Sequence, residues 1–237
     1  MPADQRTGRP TADELIELMS VLAHDLRTPL TPVKGYAEIL RSRRDLGAEK
    51  TMQYAGIVVE AATRMERSVD MLSGISALYA GRGQVRNEPV AAADIVAERL
   101  DVWRGRQPER AFAGDTEAAP GAVLVDRGWI GKALDVLIEA ALRGSPAPAV
   151  ISLRAITGRY GAAEAAHTRF VVGAPPGGDG ADGDGADSGA ADSGAADRPA
   201  AAAPDRLSSA FVAAVCAVCG YRLIGDFELE VPVAAAA

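Results

Sequence analysis

Histidine and cysteine are scarce in this chain, two of each among 237 residues, and the scarcity narrows the available chemistry. Both cysteines fall in the run Cys216-Ala217-Val218-Cys219. That spacing suits a redox pair or half of a zinc site, but no second Cys or His pair supplies the remaining ligands and no thioredoxin-like context surrounds it. Small apolar side chains on a buried helix face are expected instead. His167 stands alone at the start of an apolar run and reads as a strand residue. Long apolar runs are also missing. Nothing approaches the length that spans a bilayer, and the first dozen residues are polar, without a signal-peptide core, so a cytoplasmic location is expected.

The basic excess that a nucleic acid or an anionic membrane would select is absent too. The formal charge is −7, and Asp179, Asp182, Asp184, Asp187, Asp192 and Asp197 lie in one stretch without a basic residue. The remainder is nearly balanced, so neither nucleic acid nor membrane is an expected partner. The surrounding segment, 175–205, repeats Gly-Ala-Asp and Ser-Gly-Ala-Ala-Asp. Its spacing fits neither an EF-hand, which needs a final glutamate, nor the nine-residue calcium repeat. A disordered, charged linker that binds no metal is the expectation.

What the chain does have is a long helical period around its first histidine. Leu15, Met19, Leu22, Leu26, Leu30, Val33, Ala37 and Leu40 recur in steps of three and four and draw one stripe along a helix over 13–43. At roughly 100° per residue His24 lies nearly opposite that stripe. Thr28, one turn on, shares its outer face and Asp25 flanks it, which puts an imidazole, a carboxylate and a hydroxyl side by side in solvent. An exposed imidazole is a nucleophile near neutral pH and can accept a phosphoryl group. A carboxylate holding one ring nitrogen fixes the tautomer and presents the other nitrogen for attack.

A second stripe, Ala55, Val58, Ala62, Met65, Val69, Leu72, Ile75 and Tyr79, predicts a helix over 48–80. The short link 44–47 makes the two an antiparallel hairpin. Two helices have too little surface to bury both stripes, so two hairpins are expected to pair as a homodimeric four-helix bundle with Met19, Met65 and Leu72 in its core. The basic run Arg41-Ser42-Arg43-Arg44 complements the carbonyl end of the first helix.

A linker over 81–91 precedes a change of pattern. Helices are expected over 92–105, 127–143 and 206–219, the second opened by Asp126 as N-cap. Strands are expected over 109–114, 122–126, 150–156 and 169–172, with a terminal hairpin of 221–225 and 227–233. The chain thus divides into a disordered start at 1–12, a helical hairpin at 13–80, and a core-bearing domain at 92–237 that carries the insert 175–205. The fold class is α+β.

His24-Asp25-Leu26-Arg27-Thr28-Pro29-Leu30-Thr31 resembles the phosphoacceptor box of the two-component sensor histidine kinases, and Gly35-Tyr36-Ala37-Glu38-Ile39-Leu40 continues the likeness. The resemblance implies that His24 is phosphorylated, that Asp25 assists, and that Thr28 helps to position water when phosphate is removed from the partner. Pro29 and Pro32 are expected to bend the helix just past the acceptor.

The order of elements after residue 92 resembles the Bergerat-type α/β sandwich that binds ATP in this family, but three nucleotide contacts are missing. Ala133 to Pro146 keeps the frame of the family's asparagine box, with Ala140 where the magnesium-binding amide belongs, and a methyl offers a hard cation no oxygen. Val172-Gly173-Ala174-Pro175-Pro176-Gly177-Gly178 stands in place of the turn whose carboxylate holds adenine. Leu207 to Ala213 replaces the glycines that let backbone amides approach phosphate.

The resemblance therefore implies a cytoplasmic, dimeric histidine phosphotransfer protein of a phosphorelay, exchanging a phosphoryl group between His24 and a receiver-domain aspartate. No cofactor is expected in this chain; magnesium is expected in the partner receiver domain. A response-regulator receiver domain and a separate histidine kinase are the candidate partners. Alternatives are a sensor histidine kinase that phosphorylates His24 from ATP, and a non-enzymatic regulator-binding module or response-regulator phosphatase.

Overall fold

A computed structural model describes residues 12–43, 45–119, 121–145, 148–159, 166–173 and 204–234. The two apolar stripes form α1 (Ala12–Ser42) and α2 (Ala48–Tyr79). α1 continues through Pro29 and Pro32, whose nitrogens carry no hydrogen for the carbonyls of Asp25 and Thr28 one turn back. The helices run antiparallel, and the rings of Tyr36 and Tyr54 meet with centroids 5.1 Å apart.

On α2 the buried residues are Ala61, Ser68, Ile75 and Leu78, a seam that shares only Ile75 with the stripe read from sequence and is turned around the helix from it. Met19, expected in the core, is 69% exposed, and Met65 and Leu72 are only half-buried. One chain presents these residues without the second hairpin that the expected bundle core requires. Leu15, Met19 and Val69 remain exposed apolar surface.

The second unit has two layers. β2 (Phe112–Asp115), β4 (Ile151–Gly158), β5 (His167–Gly173), β7 (Glu228–Pro232) and β6 (Arg222–Ile224) form a sheet in that order. β2 is parallel to β4 and every other pair is antiparallel. Leu153 and Ala155 on β4, Phe170 on β5, and Leu229 and Val231 on β7 are fully buried on the face covered by helices. There they join one core with Leu134, Leu137 and Ile138 of α4 (Arg127–Gly144), Val212 and Val215 of α5 (Arg206–Cys219), and Leu100 of α3 (Ala92–Arg106). Burying each larger side chain stabilises the fold by roughly 1.5–3 kcal/mol. On the opposite face of β7, Glu230 is 1% exposed and accepts from Arg169 and Arg222, each at 3.2 Å.

The expected elements are present, with shifted ends and one addition. Residues 88–91, read as linker because Pro89 interrupts them, form β1 (Glu88–Ala91) by antiparallel pairing with β3 (Ala122–Val125). β2 starts at Phe112 rather than 109 because a turn precedes it, with Arg110 N donating to Gln107 O at 3.0 Å. Asp126 caps α4 as expected, its Oδ1 accepting from Trp129 N at 3.0 Å. Asp205 caps α5 in the same way, accepting from Ser208 N at 2.8 Å. α5 ends at Gly220 with φ 78°, the left-handed turn that glycine takes without strain.

Cys216 and Cys219 are free and buried on α5, and burial pushes both thiols up to about 12. The Asp-rich insert falls almost wholly on 174–203, outside the described residues. Among the described residues no helix is long and apolar enough to cross a membrane, and no three His, Cys, Asp or Glu side chains group as metal ligands.

Candidate functional site

The turn of α1 that holds the first histidine faces water. The His24 side chain is 79% exposed and Asp25 is 22% exposed, with His24 Nδ1 3.2 Å from Asp25 Oδ1. This geometry leaves Nε2 unencumbered. Thr28 Oγ1 donates to the carbonyl of His24 at 3.1 Å, so the hydroxyl's lone pairs remain available to a water. The three residues singled out from sequence therefore stand together on one face, with Pro29 buried beneath them.

The α/β unit packs against the hairpin on this same side and leaves a cleft of about 1290 Å³ between them, lined by His24, Asp25 and Thr28 from α1. Arg64 and Arg67 of α2, and Trp129, Lys132 and Glu139 of α4, also line it. An ion pair and an aromatic contact are among the contacts that join the units across the cleft. Arg67 Nη1 forms a short ion pair with Glu139 Oε1, and Glu139 also pairs with Arg143 at 3.4 Å, which in turn reaches Asp205 at 3.2 Å. Beside them Phe211 of α5 lies against Gly74 of α2, with the Trp129 ring 6.4 Å away, centroid to centroid. Lys132 sits over the Trp129 ring at 4.6 Å, a cation–π arrangement.

Sequence reasoning missed Arg64, Arg67, Glu139 and Trp129. Arg64, Arg67 and Trp129 belong to no motif, and Glu139, although inside the run 133–146 that resembles the asparagine box, pairs with Arg67 from 72 positions away. The hairpin pairing was the one usable signal, because an antiparallel partner for His24 must fall near residue 67.

The three segments that resemble nucleotide contacts can be compared with what ATP and magnesium require. Ala140 is completely buried, and the adjacent carboxylate of Glu139 is engaged by two arginines. β5 ends at Gly173, and no acid follows before Asp179. Residues 207–213 are helical, with Leu207, Phe211 and Val212 turned into the core, so they form no backbone cradle. These residues do not fit the nucleotide.

Residues 14–78 match the His Kinase A (phospho-acceptor) domain family. The chain is 28% identical to the sensor protein DivL of Caulobacter vibrioides over 65% of its own length and 20% of that protein's. It is 26% identical to the signal transduction histidine-protein kinase/phosphatase MprB of Mycolicibacterium smegmatis over 58% and 28% respectively. The Acinetobacter baumannii histidine kinase AdeS shares the fold at TM-score 0.54 and 17% identity, covering 88% of this chain and 97% of that one. The histidine kinase ThkA, solved in complex with the response regulator protein TrrA, shares it at 0.52 and 17%, covering 71% and 48%. The chain spans only 20% to 28% of the length of these two curated relatives.

Proposed function

Because this chain belongs to the two-component sensor histidine kinase family, with its phosphoacceptor domain at residues 14–78, we propose that it works as a cytoplasmic histidine phosphotransfer protein. His24 Nε2 attacks the phosphorus of a phospho-aspartate on a receiver domain. An N–P bond forms, the O–P bond breaks, and the aspartate leaves as a carboxylate. Asp25 holds the Nδ1 proton, so the ring carries its new charge beside a carboxylate and no proton need be lost. Transfer in the reverse direction uses the same groups. Catalysis is then mostly positioning and charge stabilisation, with magnesium expected in the receiver. A homodimer through the exposed hairpin stripe is part of the proposal.

The observation that carries this reading is the contrast between the two units. His24, Asp25 and Thr28 stand intact and solvent-facing, while the residues at the family's nucleotide contacts do not fit ATP. A second reading is favoured by the relatives, since MprB is named a kinase and phosphatase: the chain then phosphorylates His24 from ATP.

One experiment separates them. The purified chain is incubated either with a phosphorylated receiver domain or with labelled ATP and magnesium, and acid-labile, base-stable phosphate is read. Label passing from the receiver and none from ATP alone is the expected result. Labelling from ATP alone replaces the phosphotransfer reading with the kinase.

A further inference from the structure

The pairing of the hairpin determines which side chains stand level with His24. Tyr36 touches Tyr54, and at the other end of α1 Leu18 and Met19 share a groove with Leu72 and Ile75. Each step forward on α1 is a step back on α2, so His24 comes level with residues 66–68. Ser68 is buried in the seam, whereas Arg67 lines the same cleft as His24 and is half-exposed. Arg64 is a turn away, nearer the level of Thr28, and is held by Glu60 on its own helix at 2.8 Å.

Arg67 is engaged by Glu139 of α4, but that carboxylate has a second cation in Arg143. Glu139 can therefore release Arg67 without being left unpaired. A phosphoryl group on His24 Nε2 would bring up to two negative charges to the level of Arg67. A guanidinium matches phosphoryl oxygens in shape and charge, and two charges outcompete one carboxylate oxygen. Resting on His24 as the acceptor, we propose that Arg67 is a positioning residue for the phosphoryl group on His24 and exchanges Glu139 for it. Phosphorylation then removes an ion pair that ties the hairpin to the α/β unit, and the cleft is held less tightly while His24 is loaded.

The test loads the full chain chemically with potassium phosphoramidate and follows the pH titration of the phosphohistidine by ³¹P NMR, with His24→Ala identifying the resonance. A neighbouring guanidinium favours the dianion, so Arg67→Gln should raise the titration midpoint by about half to one pH unit. Arg67→Lys should restore part of that shift. Glu139→Gln, which frees Arg67 from its competitor, should lower the midpoint. Arg64→Gln should leave it in place. An unchanged midpoint in Arg67→Gln, or a shift in Arg64→Gln alone, overturns the assignment. Chemical loading needs neither receiver nor ATP. A chain that shows the shift but accepts nothing from a receiver refutes the phosphotransfer reading alone, and a chain that accepts phosphate but shows no shift refutes this one alone.

Discussion

A Cβ placed on Gly74 of α2 would stand 2.7 Å from Cε2 of Phe211 on α5, closer than two carbons can pack. The Trp129 ring completes the contact, approaching the added carbon of Gly74 at 3.6 Å and that of Gly83 at 3.0 Å. Two missing side chains, one on α2 and one just past its end, thus make room for two aromatic rings from the α/β unit. This contact, with the Arg67–Glu139 ion pair, places the second unit over the histidine face.

Gly74→Ala should lower the melting temperature although alanine is the better helix former. The helix gain is about 1 kcal/mol, and overpacking a tight contact costs about 1–3 kcal/mol. Gly35→Ala, also in a helix but with nothing within 4 Å of the added carbon, should raise it. Calorimetric scans of both variants decide the matter. Equal gains would mean that the Phe211 ring moves aside at no cost.

Dimerisation makes a sharper prediction at Val69 than in the middle of the seam. Val69 is 48% exposed in one chain, so Val69→Asp adds little strain to a monomer but places an unpaired charge in a bundle formed by two stripes. Mass in solution should fall from dimer to monomer with the helix content unchanged. A monomeric parent chain would remove the homodimer from the proposal.

The α/β frame and the acceptor face were legible in sequence because both rest on local rules. Asp126 and Asp205 precede helices they cap, and His24 stands out as a polar residue opposite an apolar period. β1 was not legible: Pro89 and exposed neighbours give no alternation, and only pairing with β3 makes Glu88–Ala91 a strand. Met19, 69% exposed in one chain, marks another limit, since a period reports which face is apolar and not which neighbour covers it. The cleft residues Arg67 and Glu139 come from separate units, and no local pattern encodes their meeting.

Alkaline pH should destabilise the fold through its buried thiols. Cys216 and Cys219 are raised from 9.0 to about 12, first by burial, and Tyr221 is raised by burial as well. Above pH 9 the unfolded chain releases protons that the folded chain keeps, so stability present below that pH is lost as pH rises. Urea midpoints should fall steadily between pH 8 and about 10.5. Cys216→Ala combined with Cys219→Ala should start from a lower midpoint and show a shallower fall. An equally steep fall in the double variant would assign the effect to other groups.

The acceptor face should divide into three separable roles. His24 is 79% exposed, so His24→Ala should abolish phosphotransfer while moving the melting temperature little, because exposed substitutions shift stability by only about 0.5 kcal/mol. Asp25→Asn keeps the size and a hydrogen bond to Nδ1, 3.2 Å away, but removes the negative charge beside the ring. Phosphorylation of His24 should slow without being lost, by roughly 10- to 100-fold if the charge contributes about 1.5–3 kcal/mol. Thr28→Ala should leave the loading of His24 intact and reduce water-dependent loss of phosphate from the receiver, because a methyl cannot orient water. Thr28→Ser, which keeps the hydroxyl, should restore that loss. The measurement is label on each protein over time, in mixtures of the chain with a phosphorylated receiver domain. Equal slowing of loading by Asp25→Asn and Thr28→Ala would mean that the two side chains act through the shape of the turn and not through separate chemistry.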